Sequence, residues 1–167
     1  DPKGLKSINA KGEKADGIAD TPKWLDVAYE FEDLKILWSS TPPDVPGAAG
    51  KGIGAYFEGD KGTLLCDYNS RSIVIDGETL TDIDYVPMSI GRSPGHQQNF
   101  VDSVKNRTQP ESNLTYARQL TLPMHLGMIS YRLSKPLQWN AANEQFVDDA
   151  AANALLHREA RGKWKLI

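Results

Sequence analysis

The sequence has little cysteine, a shortage of positive charge and no long apolar run, and each shortage excludes a class of protein. Its single cysteine, Cys66, cannot form an internal disulfide, so a disulfide framework does not hold the fold. The 22 acidic residues outnumber the 19 Lys and Arg residues. This argues against a nucleic-acid partner, because such proteins neutralise several phosphates with a basic surface. No apolar stretch approaches the ~20 residues of a membrane-spanning helix, so no membrane span is predicted.

What is present is the composition of an ordinary globular domain, 40% hydrophobic and 25% charged over 167 residues. Residues 1–20 are rich in Lys, Gly, Asp and Ala and show no apolar period, so we expect them to form a flexible leading segment or linker. The ordered domain is then expected at residues 21–167. The chain starts at Asp1 without Met or a signal-peptide pattern, which is typical of a cut inside a longer chain or of a processed terminus.

The first part of the domain has the alternation of β-strands. The run WLDVAYEF places alternate apolar residues on one face, and LKILWS follows after a two-residue connection, which predicts an antiparallel hairpin. Residues 41–54 hold three Pro and four Gly and predict a long loop. The runs AYFEG, GTLLCDY and RSIVID then predict three more strands. We therefore expect a meander.

After Pro87 the apolar period changes from two to nearer 3.6, which predicts helices. Ser93 and Pro94 fit an N-cap and first position, and the helix should end near Lys105. Its predicted buried stripe is Phe100, Val101 and Val104.

A second helix should start from a cap at Ser112 or Asn113, and Pro123 inside it should kink or split it. Its predicted buried stripe is Leu114, Ala117, Leu120 or Thr121, Met124, Met128 and Tyr131. A short last helix is predicted from Asp148 or Asp149 through AAANALLHR. Strands followed by helices predict an α+β fold, with an open, mainly antiparallel β-sheet and helices packed on one face.

Several strands carry large apolar residues on both faces, such as Trp24 beside Leu25 and Leu37 beside Trp38. The predicted helices can cover only one face of the sheet. We expect a symmetric partner chain to cover the second face, although an edge strand or loop could also do so.

The glycine cluster GKGIGA, residues 50–55, formally matches the dinucleotide fingerprint G-x-G-x-x-[GA]. That fingerprint follows a strand and opens a helix, so that the pyrophosphate meets the helix N-terminus. Here a Pro-rich loop precedes the cluster and a strand-like run follows it. The glycines are therefore interpreted as loop residues, and no cofactor is expected to bind this chain.

Arg92 and His96 are the candidate ligand-binding residues, because they lie in an irregular loop that leads into a helix. The guanidinium could bind an anionic or hydroxylated ligand beside free N–H groups of the helix start. The alternative is that both residues only cap and orient the helix. A hydrolase built on Ser93 and His96 lacks an orienting acid, and neither His125 nor His157 belongs to a metal-ligand pattern, so no catalytic or metal-ligating residue is proposed.

Three segments together resemble the C-terminal part of Gfo/Idh/MocA oxidoreductases, in particular the longer bacterial type. They are residues 92–110, with His followed by Asn-Phe, residues 113–140, with His-Leu-Gly and Leu-x-Trp, and residues 144–164, with Asp-Asp and Ala-Asn-x-Leu-Leu. Upstream, TPKWLDVAYEFEDLKILW and GAYFEGDKGTLL look like strands of its sheet.

The resemblance implies a parent protein with an N-terminal Rossmann domain that binds NAD or NADP, and a C-terminal domain that shapes a sugar or polyol pocket and builds homo-oligomers through its sheet. The family's Glu-Lys-Pro and D-x-x-x-H motifs do not occur in this sequence. The resemblance therefore implies a chain that is inactive alone, since nothing in it holds the hydride donor. The competing hypothesis is a binding or scaffolding module that shares the fold without the chemistry. An exported, periplasmic parent fits the resemblance, and a cytoplasmic one stays open.

Overall fold

The structure is a computed structural model that describes residues 4–80 and 89–164. Its elements in chain order are β1 (Ser7–Lys14), β2 (Pro22–Glu30), β3 (Lys35–Ser39), β4 (Ala55–Gly59), β5 (Gly62–Cys66), β6 (Arg71–Ile75), β7 (Glu78–Leu80), α1 (His96–Asn106), α2 (Leu114–Leu133), β8 (Leu137–Asn140), β9 (Gln145–Phe146) and α3 (Ala150–Ala154). All strand pairs are antiparallel, so the α+β class is confirmed. The strands form two sheets rather than the one expected, with orders β3-β2-β1-β8-β9 and β4-β5-β6-β7.

The chain divides into two compact units. The first consists of the residues up to Ser40 together with those from Phe100 onward, and the second of Thr41–Asn99. The five-stranded sheet lies in the first unit and the four-stranded sheet in the second.

Strand β1 occupies the middle of the five-stranded sheet, so the prediction of a flexible segment was wrong for Ser7–Lys14. It pairs along its whole length with β2 and, through Ser7 and Ile8, with β8. Alternate residues Ile8 and Ala10 are buried in the core. The alternation is hard to detect in the sequence because Ala10 is small and the next inward residue is Gly12. Only glycine fits at this position, since a Cβ there would lie 2.6 Å from the Trp24 carbonyl oxygen and 3.0 Å from the Tyr131 ring.

The predicted hairpin is confirmed as β2 and β3, with Val27 opposite Trp38 and Tyr29 opposite Ile36. Val27 and Tyr29 face the core, and burial raises the pKa of the Tyr29 phenol to about 12. The rest of the core comes from α2 and the C-terminal elements. Its buried members are Leu5, Ile8, Ala10, Val27, Tyr29, Leu126, Ile129, Leu137, Trp139, Phe146 and Ala152.

Helix α2 touches the sheet through residues that the sequence pattern did not select. Leu126, Gly127, Ile129 and Ser130 are buried. The prediction was wrong for the exposed members of the predicted stripe, because the helix carries apolar side chains on opposite faces and periodicity alone cannot choose between them. These exposed members are Leu114, Ala117, Leu120, the alternative Thr121, and Met124.

Gly127 allows the close approach of α2 to the sheet, since a Cβ at this position would lie 2.6 Å from the Tyr29 hydroxyl oxygen. The predicted cap is confirmed, because the Asn113 side chain accepts a hydrogen bond from the Tyr116 N–H. The helix continues through Pro123 to Leu133, so it is not split there.

The second unit consists of a four-stranded meander and a long loop. Strands β4, β5 and β6 match the three predicted runs, and residues 41–54 form the predicted loop. The short strand β7 was not predicted. It follows a tight turn at Asp76 and Gly77, which both have positive φ, as the hairpin turn between antiparallel strands requires.

Candidate functional site

The two predicted ligand-binding residues lie at the start of α1 and just before it. His96 is the first residue of the helix, and Arg92 lies in the preceding loop; both are exposed. The predicted cap was wrong by two residues. The carbonyl of Gly95, whose φ is +97, accepts the first helical hydrogen bond from Asn99 N–H at 2.9 Å. Ser93 instead accepts a hydrogen bond from Gly95 N–H at 3.3 Å, which shapes the loop before the helix.

The predicted buried stripe of α1 was also wrong. Phe100 is 61% exposed, and Val101 and Val104 are also exposed, while the buried residue of this helix is Ser103, at 6% exposure. An apolar stripe that stays in contact with solvent is available for binding rather than for the core.

A groove runs along this part of α1 and the segment that follows it. Its volume is about 310 Å³, and it is lined by Phe100, Ser103, Val104, Arg107, Thr108 and Pro110. Arg107 directly follows the helix with φ +56, and the Thr108 N–H donates to the Ser103 carbonyl at 3.0 Å. These two features turn the chain back beside the helix. The only signal for the groove in the sequence is Ser103, a polar residue next to the apolar stripe. This signal indicates a groove only together with the turn after Asn106, which the sequence pattern did not predict.

The glycine-rich loop of the second unit does not have the context of a dinucleotide site. Residues 50–54 run directly into β4, so a strand follows where the fingerprint needs a helix N-terminus. The described residues of this loop therefore do not fit a nicotinamide dinucleotide. The loop interpretation of the glycines is confirmed.

Side-chain contacts fix this loop against the four-stranded sheet. The Lys51 ammonium contacts the Asp67 carboxylate and donates to Ser70 Oγ at 2.9 Å. Asp67 also accepts from the N–H groups of Asn69 and Ser70, both at 2.7 Å. These contacts hold the pKa of the Asp67 carboxyl well below its usual range, and the contact with the Lys51 ammonium has the largest effect. Nearby, Ala48 and Leu65 are the buried apolar residues among the described part of this unit, residues 41–80 and 89–99.

The strand register shows that the two faces of the four-stranded sheet differ. Leu65, which contacts the loop at Gly47, shares its face with Tyr56 and Ser72. On the opposite face one register row crosses all four strands, and it consists of Phe57, Leu64, Ile73 and Leu80. We call this side, with Cys66 and Ile75 beside the row, the open face.

The open face stays in contact with solvent. Phe57 is 57% exposed, and Leu64 and Ile73 are only half-buried although they lie on the two inner strands. Arg71 and Glu78 lie at opposite ends of this face, and both are exposed. The apolar row therefore stands exposed between two opposite charges, one at each end of the open face.

The side of the five-stranded sheet away from α2 is mostly polar. Strands β1, β2 and β3 present there Asn9, Lys11, Glu13, Trp24, Asp26, Ala28, Glu30, Lys35, Leu37 and Ser39. Glu30 pairs with Lys35 at 2.9 Å on this side. The second apolar face expected from the sequence is therefore limited, in these strands, to Trp24 and Leu37. Trp38 lies on the other side, in register with Val27, and is 51% exposed.

The motifs that carry the family resemblance are largely structural. Trp139 of the Leu-x-Trp motif is buried and meets Phe146 edge to face at 5.1 Å. Asp149 caps α3 by accepting from Ala152 N–H at 3.0 Å and pairs with Lys135 at 2.6 Å. Asn153 donates to the Phe146 carbonyl and accepts from the Phe146 N–H, at 2.9 and 2.8 Å. These contacts attach α3 to β9.

The histidines do not combine into a site. His96, His125 and His157 are all exposed. Within residues 4–80 and 89–164, no three His, Cys, Asp or Glu side chains come together in a way that could hold a metal ion. The helices of the same residues also include none that is long and apolar enough to cross a membrane.

The topology and contacts define an α+β domain whose sheets are mainly antiparallel. The profile of the oxidoreductase family, C-terminal alpha/beta domain, of the Gfo/Idh/MocA type, matches residues 7–166. The chain therefore belongs to this family, and the resemblance seen in the sequence is confirmed. The match begins at β1, in agreement with its central place in the sheet. Comparison with curated proteins and with solved structures gave no match.

Proposed function

We propose that this chain is the substrate-binding and oligomerisation domain of an NAD(P)-dependent oxidoreductase that acts on a sugar or polyol. The observation that carries the proposal is the family match over residues 7–166. In this proposal, a Rossmann domain of the parent protein holds NAD or NADP, and the domain described here extends from β1 rather than from residue 21. The chain alone is then not catalytic, because binding and orientation of the hydride donor belong to the other domain.

Within the proposed parent, Arg92 and His96 border the sugar pocket. Their exposure supports the proposal, since neither side chain is taken up by the core. A guanidinium and an imidazole can both donate to hydroxyl groups of a sugar. An Arg92→Ala substitution in the parent protein should raise KM with little change in kcat. An unchanged KM would remove Arg92 from the site.

Calorimetric titration of the chain with NAD and NADP tests whether cofactor binding belongs to the other domain of the proposed parent. We expect no measurable binding of either nucleotide. Tight, specific binding to this chain would contradict the proposal. The gene offers a second test, since a Rossmann-like segment should be encoded directly ahead of Asp1. Its absence there would favour the competing hypothesis of a non-enzymatic binding or scaffolding module.

The oligomerisation role is assigned to the open face, with a second copy of the chain as its occupant. Two stacked sheets lie about 10 Å apart with strands aligned to within about 30°. A two-fold axis along the row Phe57, Leu64, Ile73 and Leu80 would stack this row on itself. The same axis reverses the strand direction of the second copy, so the end with Arg71 lies over the end with the partner's Glu78. By symmetry, Glu78 also lies over the end with the partner's Arg71, so two such charge pairs form. Charge complementarity therefore favours a second copy.

Charge exchange tests this arrangement. Arg71→Glu or Glu78→Arg alone should weaken self-association in sedimentation equilibrium, because each places like charges opposite each other. The double variant should restore it. Single variants that associate as well as the wild type would contradict the arrangement.

A further inference from the structure

The groove on α1 has the features of a small-molecule site, and its first feature is a nearly enclosed hydroxyl. Ser103 is 94% buried, and its hydroxyl finds no hydrogen-bond partner among the described residues. No fully enclosed side-chain oxygen or nitrogen in those residues lacks a partner, so the Ser103 hydroxyl still meets solvent. Ser103 lines the groove, so the groove is where its unpartnered hydroxyl can be reached. Such a hydroxyl is a site for a ligand hydrogen bond.

The second feature is an unpaired positive charge. Arg107 lines the same groove, and no ion pair or hydrogen bond engages its guanidinium within the described residues. The positive φ of Arg107 and the bond from Thr108 N–H to the Ser103 carbonyl fix the turn that carries it. A guanidinium presents a planar fork of donors that matches a carboxylate.

The third feature is the apolar floor between these polar groups. Phe100, Val104 and Pro110 supply it, and Thr108 adds a second hydroxyl at the rim. The volume of about 310 Å³ lies at the small end of ligand sites, which suits a single ring rather than an extended chain. An aromatic ring beside hydroxyls suits a ligand with one apolar face and several hydroxyl groups.

From these three features we infer that the α1 groove binds a hydroxylated ring carboxylate of the uronic-acid class. The carboxylate pairs with Arg107, ring hydroxyls bond to Ser103 and Thr108, and the C–H face of the ring packs on Phe100. This site lies within one compact unit and does not depend on the proposed oxidoreductase role, so either can fail without the other.

Calorimetry or NMR titration of the 167-residue chain with three probes tests the ligand class. The probes are D-glucuronate, D-glucose without the carboxylate, and cyclohexanecarboxylate without the hydroxyls. We expect glucuronate to bind at least about tenfold more tightly than either of the others, since each lacks one set of contacts. Equal binding of glucuronate and glucose would overturn the role of Arg107. Equal binding of glucuronate and cyclohexanecarboxylate would overturn the hydroxylated class.

Variants test the place of binding. Arg107→Asn keeps a residue type that tolerates positive φ and should weaken glucuronate binding about tenfold. The matched control is Lys105→Asn, which removes a neighbouring cation outside the groove and should leave affinity unchanged. Ser103→Ala should cost a few-fold. Equal losses in Arg107→Asn and Lys105→Asn, in chains whose thermal unfolding matches the wild type, would show non-specific attraction and overturn the site.

Discussion

The two sheets of this chain each have an apolar face, and the two faces differ in how far they are covered. The five-stranded sheet is covered by α2 and encloses a core in which Ile8 and Leu126 are fully buried. The four-stranded sheet carries a loop on one face, fixed by Lys51 and Asp67, while the apolar row of the other face stays partly exposed. The comparison shows that one region completes its core within the chain, whereas the other leaves an apolar row in contact with solvent, which we propose is completed by a second copy of the chain.

The largest expected effect comes from comparing one Leu-to-Ala substitution in the core under α2 with the same substitution on the open face. Leu126→Ala removes a fully buried side chain and should lower the free energy of unfolding by about 2–5 kcal/mol. Leu64→Ala on the open face should cost much less in dilute solution, because its side chain is already in contact with water. Urea unfolding followed by circular dichroism measures both. Equal losses would show that the open face is as enclosed as the core.

The next effect comes from the polar contact that joins α2 to the sheet. The fully buried Ser130 hydroxyl accepts from Ala10 N–H at 3.0 Å and donates to the Lys135 carbonyl at 2.8 Å. Ser130→Ala leaves both backbone groups without this partner and should cost about 1–3 kcal/mol in urea unfolding. The control Ser134→Ala, at an exposed C-cap, should stay within about 0.5 kcal/mol. If the two variants unfold alike, Ser130 does not hold the helix to β1.

The smallest effect concerns the loop on the four-stranded sheet. Contacts in the folded state, first of all with Lys51, lower the pKa of the Asp67 carboxyl below its ordinary value of 3.8. The ionised carboxylate therefore stabilises the fold fully at pH values well above 3.8, and this stabilisation is lost as the pH falls below 3.8. Urea unfolding at pH 7, 5 and 3 should show a smaller acid loss in Asp67→Asn than in the wild type. Asp44→Asn, in the same loop, serves as the control. Identical acid losses in wild type and Asp67→Asn would contradict the role of this ion pair.

The sequence predicted elements wherever one local signal was enough. Alternation located β2 to β6. The sequence narrowed the α2 cap to Ser112 or Asn113 and the α3 start to Asp148 or Asp149, and the structure has Asn113 and Asp149 as the N-caps, because a cap depends on residues within one turn. Strand β1 was missed because Ala10 and Gly12 make a weak apolar face. The buried faces of α1 and α2 were wrong because both helices carry apolar residues that tertiary contacts leave exposed, and the sequence does not contain those contacts explicitly.

The candidate sites were predicted less completely for the same reason. Arg92 and His96 follow from a loop next to a helix, and they stay predictions. The α1 groove needs Ser103 and Arg107 side by side, which depends on the turn after Asn106 rather than on a motif. The open face needs the register of four strands, which alternation within a single strand does not give.

Sedimentation equilibrium of three chains tests the central claim most directly, namely that the open face is completed by a second copy. The wild type should show concentration-dependent dimerisation, and Leu64→Lys should abolish it by placing a charge in the centre of the apolar row. Thr79→Lys, on the opposite face of the same sheet, should dimerise like the wild type. A wild type that stays monomeric at every concentration, or a Leu64→Lys chain that dimerises unchanged, would contradict the claim.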